Sequence, residues 1–179
     1  MRKILLVVDV QNDFVDGALG SPEALEAAKN IVNLVADKRW AEVIATVDHH
    51  HPKPKRRTLE AEVISPHCIA HSPGAALYKG IAEHVDYIIE KDRFSIDCCV
   101  DLWPHLTGQG DNNDDDIEFF ICGLCTDICV ISNALMLRSA FPRNKITVLA
   151  DACAGTSDYR HAAALDVMRS CLIDVKMSD

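Results

Sequence analysis

Ile4-Leu5-Leu6-Val7-Val8-Asp9-Val10 is the stretch on which the fold turns. A strand with one face in water alternates polar and apolar residues. A run that is apolar on both faces suits a parallel sheet covered on two sides. This run extends over Lys3–Val10, and further short β-rich runs follow at Glu42–Val47, Asp86–Glu90, Ile117–Gly123, Lys145–Ala150 and Leu172–Met177. Helical patterns lie between most of them. Ser21-Pro22-Glu23 offers a cap, a first-turn proline and an early acid, followed by Leu25, Ala28, Ile31, Val32 and Val35 at helical spacing. Other helices are predicted over Gly74–His84, Thr126–Ala140 and Asp158–Ser170, with a short one near Val100–Leu106. Alternating strand and helix predicts an α/β domain of three layers (αβα), with a mostly parallel six-stranded sheet and helices on both faces. No internal repeat or domain boundary interrupts the pattern, so one domain over residues 1–179 is expected.

Composition narrows the function classes. Hydrophobic residues make up 49% and charged residues 25% of the chain, a globular mixture rather than a disordered or fibrous one. The 18 basic and 27 acidic side chains give a formal charge of -9, so nucleic acid is not expected as a partner. Met1-Arg2-Lys3 and the few apolar residues after it are too short for a signal peptide, and no apolar run approaches the ~18 residues of a membrane span. A cytoplasmic location without membrane contact is therefore expected. In that reducing setting the eight cysteines are buried small hydrophobes, metal ligands or nucleophiles.

Two stretches break the rhythm. Residues 48–73 carry prolines, histidines and the basic run Lys53-Pro54-Lys55-Arg56-Arg57, and a loop this long inside a domain is usually functional. Residues 108–116 are polar and acidic. Asp111, Asn113 and Asp115 mimic the start of a calcium loop, but Asp116 stands where glycine is required and Cys122 where the closing glutamate belongs, so a solvated turn is expected.

In open α/β sheets ligands bind beyond the carboxyl ends of the strands. Those ends bring together Asp9, Asp48, Lys91 and Gly123-Leu124-Cys125-Thr126-Asp127-Ile128-Cys129. With Thr126 as N-cap, Cys129 becomes the third residue of a helix, where unpaired amides and the dipole favour a thiolate. An ordinary thiol is only about 3% ionised at pH 7, and a pKa two units lower gives roughly 75%. The amides of Cys125 and Cys129 could face a developing oxyanion. Asp9, closing an apolar strand, is partly desolvated and suited to carrying a proton, while Lys91 would hold carboxylate and sulfur in their charged forms. Asp48-His49-His50-His51, with Glu60 and His67 downstream, supplies oxygen and nitrogen donors that suit zinc, iron or manganese better than calcium. Spacing does not decide which of the three adjacent histidines points inward. A different class is a redox or zinc-binding module built on Cys122 and Cys125. In thioredoxin-like sites, however, such a pair opens the helix, and Cys122 still sits in the strand pattern.

Val7-Val8-Asp9-Val10-Gln11-Asn12-Asp13-Phe14, Lys91 and Gly123-Leu124-Cys125-Thr126-Asp127-Ile128-Cys129-Val130 together resemble the three signatures of the isochorismatase-like cysteine hydrolases, and within them most of all the nicotinamidases. The match runs through nearly the whole chain and includes Pro66-His67-Cys68-Ile69, Pro73-Gly74 and Asp151-Ala152-Cys153-Ala154-Gly155 with His161. The resemblance implies a catalytic triad of Asp9, Lys91 and Cys129, and a cis peptide before Cys125 that turns the amides of Cys125 and Cys129 into an oxyanion hole. It implies Asp48, His50, Glu60 and His67 as ligands of a divalent transition metal, zinc foremost with iron or manganese as alternatives. It implies Phe14, Leu19 and Leu124 as substrate contacts. The implied reaction is hydrolysis of a small-molecule amide, nicotinamide to nicotinate and ammonia through a thioester, with the metal on the pyridine nitrogen, in a homo-oligomer serving NAD salvage. A sister hydrolase acting on another small amide, a carbamoyl compound or a vinyl ether is the alternative. The chain departs from the family in His71-Ser72, where a Gly-Thr pair is usual, and in the Lys53–Arg57 run; both bear on the mouth of the pocket.

Overall fold

Strands β1 (Arg2–Val8), β2 (Glu42–Asp48), β3 (Tyr87–Lys91), β4 (Ile117–Leu124), β5 (Lys145–Ala154) and β6 (Asp174–Lys176) lie in one sheet in the order β3-β2-β1-β4-β5-β6, and every pairing is parallel. The computed structural model describes residues 1–53, 58–102, 106 and 116–178. The described helices are α1 (Asn12–Val15), α2 (Pro22–Val35), α3 (Glu60–Val63), α4 (Ile131–Ala140) and α5 (Asp158–Ser170). Ile4 to Val8 are all buried, as their apolar run on both faces requires, and β1 lies at the centre of the sheet. Helix α2 packs on β4 and β5, while α4 and α5 pack on β5. None of the described helices is long and apolar enough to cross a membrane.

The strand order makes the site. From β1 the chain steps outward through β2 to β3, then returns to place β4 on the other side of β1. The carboxyl ends of β1 and β4 therefore flank the point where the order reverses, which is where an open α/β sheet leaves a crevice. Register keeps the ends level, with Val8 beside both Thr46 and Gly123, and Asp48 beside Lys91. Gly123 has φ +129, and a Cβ on it would lie 2.1 Å from the Val8 carbonyl oxygen, so only glycine lets β4 run this close to β1.

Several elements differ from the sequence reading. The helix expected over Gly74–His84 is two separate 3₁₀ turns, Pro73–Ala75 and Ala82–His84. Here the chain instead pairs with the segment after β1: the Asn12 amide donates to Ala76 O and the Tyr78 amide to Val10 O, and Gly80 takes φ +84. The helix expected from Thr126 opens as a wide π-type turn, Thr126–Val130, before α4 begins. A similar turn covers Cys98–Leu102, overlapping the first residues of the short helix expected near Val100–Leu106. Strand β5 continues past Ala150 to Ala154, with a register shift against β4 between Ile121 and Gly123. Residues 54–57 of the basic run and the calcium-like Asp111, Asn113 and Asp115 lie outside the described residues.

Candidate active site and metal centre

Asp9 leaves β1 with φ 51, a left-handed backbone that aspartate accepts more readily than most residues. Its fully buried carboxylate accepts from Thr46 Oγ1 at 2.6 Å through Oδ1 and pairs with Lys91 Nζ at 2.7 Å through Oδ2. The same ammonium pairs with Asp48 Oδ1 at 2.7 Å and donates towards Cys129 Sγ at 3.7 Å. Lys91 is the last residue of β3 and Asp48 the last of β2, and their register pairing brings the ammonium to the centre of the group. The structure thus brings Asp9, Lys91 and Cys129 together in one buried cluster.

Cys129 sits in the Thr126–Val130 turn, where the Cys125 carbonyl accepts from both the Ile128 and Val130 amides at 3.1 Å. Cys125, not Thr126, is the N-cap residue; the Thr126 hydroxyl is engaged at 2.8 Å by His161 Nδ1. Asn133 donates to Cys129 O at 2.8 Å and to Phe94 O at 3.2 Å, tying this turn to the loop after Lys91. The Leu124–Cys125 peptide is cis, and Cys125 and Cys129 both border the adjoining cavity. Cys122 is fully buried, its thiol directed at Leu6 O, so the two cysteines of the CxxC element face different surroundings.

Charge balance revises the expected resting thiolate. Burial pushes the Cys129 thiol well above its ordinary range, and the charge and hydrogen bonding of Asp9 add to this against the opposing pull of Lys91. Two carboxylates share one ammonium, so the cluster already carries excess negative charge before the sulfur ionises. Burial also raises the Asp9 carboxyl, with Lys91 pulling it down. Burial alone would lower Lys91, but the carboxylates of Asp9 and Asp48 beside it pull the other way, and the side chain stays an ammonium. Burial and the facing carboxylates therefore favour the thiol over the thiolate at Cys129.

Asp48, His50, Glu60 and His67 form a second group, each offering a donor atom within 4.8 Å of the others. Asp48 Oδ2 lies 3.4 Å from His50 Nε2 and 3.6 Å from His67 Nε2, and His67 Nε2 lies 3.7 Å from Glu60 Oε1. Tetrahedral donors with bonds of about 2.0–2.1 Å to one ion sit roughly 3.4 Å apart, so these spacings suit a shared transition-metal ion. His50 Nε2 is buried without a hydrogen bond. His67 Nδ1 contacts Ser65 O at 2.8 Å, which places the proton there and turns the Nε2 lone pair towards the other donors. The neighbouring histidines are engaged elsewhere: His49 Nδ1 meets Glu90 Oε2 at 2.9 Å, and His51 Nδ1 accepts from the Lys53 amide at 2.9 Å. His71 keeps a left-handed backbone, φ 65, which the usual glycine would adopt freely, and its ring stands edge-on to His49.

Gln11 has a role that the sequence reading left unassigned. Fully buried, it accepts from the Asp48 amide at 2.7 Å and donates to Asp48 O at 2.9 Å, holding both backbone groups of that residue. Asp13 likewise accepts from the Cys68 amide at 2.7 Å, next to His67. Replacing Gln11 by alanine is expected to weaken transition-metal binding about 10- to 100-fold, since groups that orient ligands carry effects of that size. Metal titration of the variant checks this, and an unchanged affinity would show that Asp48 keeps its place without the clamp.

A cavity of about 530 Å³ joins the two groups. Its walls include Phe14, Leu19 and Ile128, with Cys129 at one side and Asp48, Glu60 and His67 at another. Phe14 and Leu19 thus reach the position expected of substrate contacts, and Leu124 does not. It is fully buried in the hydrophobic core at the end of β4, and Ile128, three residues after the cis peptide's second residue, takes the wall position instead. Arg160, from the first turn of α5, also lines this cavity.

The model of the isochorismatase domain matches residues 3–178. The chain belongs to the isochorismatase family. It is similar to the nicotinamidase of Schizosaccharomyces pombe, with 26% identity over 96% of this chain and 91% of that one. Among solved structures it resembles the Bacillus subtilis nicotinamidase/pyrazinamidase, with a TM-score of 0.80 and 28% identity over 98% and 100% of the two chains. It also resembles the Pyrococcus horikoshii pyrazinamidase in complex with zinc, with a TM-score of 0.83 and 27% identity over 99% and 100%. The chain is accordingly a nicotinamidase/pyrazinamidase-like hydrolase of this family.

Proposed function

We propose that the protein is a metal-assisted cysteine amidohydrolase that converts nicotinamide to nicotinate and ammonia through a thioester on Cys129. The observation that carries this reading is the placement of Lys91. One ammonium contacts Asp9, Cys129 and Asp48, so the nucleophile and the metal donor set share one cation and border one cavity.

In this scheme Cys129 Sγ attacks the carboxamide carbon as its proton passes to Asp9, and the amides of Cys125 and Cys129 receive the oxyanion. Collapse breaks the C–N bond, and Asp9 returns the proton to the departing nitrogen, releasing ammonia. Asp9 then takes a proton from water, which attacks the thioester; the carboxylate leaves and the sulfur regains its proton. Lys91 stays charged throughout and offsets the negative charge as it moves between sulfur and carboxylate. Phe14 and Leu19 would pack an aromatic ring. A divalent transition metal held by Asp48, His50, Glu60 and His67 would supply a Lewis-acidic contact for the ring nitrogen and so orient the substrate.

Ammonia release from nicotinamide, pyrazinamide and simple aliphatic amides, with and without chelator, tests the reading. The two heteroaromatic amides are expected to show kcat/KM about 100-fold or more above the aliphatic ones, and chelation should remove most of that advantage until zinc is restored. Full activity after verified metal removal, or turnover confined to carbamoyl compounds or vinyl ethers, would overturn it in favour of a sister hydrolase.

A further inference from the structure

The turn that carries Cys129 is fastened from outside its own element. Helix α5 packs on Thr126–Val130, and the first two side chains of that turn reach the β5–α5 junction. Fully buried Thr126 meets His161 Nδ1 through Oγ1 at 2.8 Å. The Asp127 carboxylate accepts from the Thr156 amide at 2.8 Å and from Thr156 Oγ1 at 2.6 Å. His161 is itself set by the first turn of α5, where its amide donates to Ser157 O at 2.8 Å. Gly155 lets the two sides close, since a Cβ there would lie 2.9 Å from both Asp127 Oδ1 and His161 Cβ. The imidazole lines a separate cavity of about 400 Å³ rather than the catalytic one; Ser21, Ala154, Gly155 and Thr156 border both, so His161 stands behind the catalytic wall. Thr126 lies between Cys125 and Cys129, the two residues whose amides face the oxyanion in the proposed scheme. Holding the residue between them limits how far either N–H can turn.

We propose that His161 is a positioning residue for amide hydrolysis: through the Thr126 hydroxyl it holds the amides of Cys125 and Cys129 where the oxyanion forms. The inference rests on the reading that Cys129 attacks an amide carbonyl. Its effect falls on the carbonyl oxygen and not on the sulfur, which separates it from a general role in holding the fold.

Alkylation of Cys129 by iodoacetamide, located by adduct mass, displaces iodide at a saturated carbon and forms no oxyanion, so it reports the sulfur alone. In His161→Ala, kcat for ammonia release from nicotinamide is expected to fall about 10- to 100-fold, the scale of an ångström-sized misplacement, with KM and the alkylation rate both within about 3-fold of wild type. Thr126→Val, which removes the hydroxyl at nearly constant volume, should lose as much, and the double variant no more than either single one, because each substitution breaks the same contact. Wild-type kcat in either folded single variant, losses that multiply in the double variant, or alkylation slowed as much as turnover would each overturn the proposal. If His161→Ala does not fold, Thr126→Val decides alone, and loss of the fold in both would make the contact structural and overturn it too. Wild-type turnover by Cys129→Ala would instead remove the reading beneath, so the two failures are distinguishable.

Discussion

Cys129→Ala is expected to lower kcat/KM for amide hydrolysis by about 10⁴-fold or more, because the residues of such a unit act together and loss of the nucleophile removes the covalent path outright. The fold should survive. Cys129 is buried at 4% exposure, and alanine deletes only the sulfur from a turn fastened by Cys125 O, Asn133 and the Thr126–His161 contact. The metal donors stay in place, so zinc binding should persist in the inactive variant. Cys125→Ala is the control. That residue also borders the cavity, but its thiol is raised by burial and the role assigned to it is that of its backbone amide, so turnover should stay within about 10-fold of wild type. Ammonia release from nicotinamide, together with mass spectrometry for an acyl adduct of the wild-type enzyme, checks both. Near-wild-type release by Cys129→Ala would end the thioester scheme.

Local pattern was enough for the sheet and for the chemistry at its rim. The apolar run Ile4–Val8 dictates a strand covered on both faces, and parallel strands put Asp9, Asp48 and Lys91 at one edge whatever the details between them. What local pattern does not carry is competition from distant partners. Thr126 has the composition of an N-cap, yet its hydroxyl is taken by His161, 35 residues away, and the helix opens as a wide turn one residue earlier than a cap at Thr126 would allow, with Cys125 as the N-cap. His50 is no different in type from His49 and His51. It faces the donor group because Glu90 and the Lys53 amide engage the other two.

Ionisation is illegible for the same reason. A cysteine near a helix start reads as acidic, but burial and the facing charge of Asp9 together reverse the sign, and both are properties of the assembled cluster. Gln11 shows the converse. Its amide side chain stands out beside Asp9 in the sequence, but its use, holding both backbone groups of Asp48, depends on β1 and β2 being neighbours.

Asp9→Asn separates the two ways in which this carboxylate acts on the sulfur, and the expected results point in opposite directions. In the proposed mechanism Asp9 accepts and donates the proton at every step, so its loss should lower kcat by about 10³- to 10⁴-fold, the upper part of the range for a positioned acid–base group. As a buried negative charge bonded to the thiol, however, Asp9 raises the Cys129 pKa, so its neutralisation should shift that pKa down. The variant is then predicted to hydrolyse amide poorly while its Cys129 is alkylated faster than wild type at the same pH. Asparagine suits the comparison because it tolerates the left-handed φ of 51 and can keep the hydrogen bond from Thr46 Oγ1. Lys91 retains Asp48 as an ion-pair partner, so its ammonium is not left alone in the interior. The measurements are the pH profile of alkylation, followed by thiolate absorbance or adduct mass, and steady-state ammonia release on the same preparation. A pKa that rises in Asp9→Asn would mean that Lys91, rather than the carboxylate, governs the sulfur; unchanged turnover would mean that some other group moves the proton.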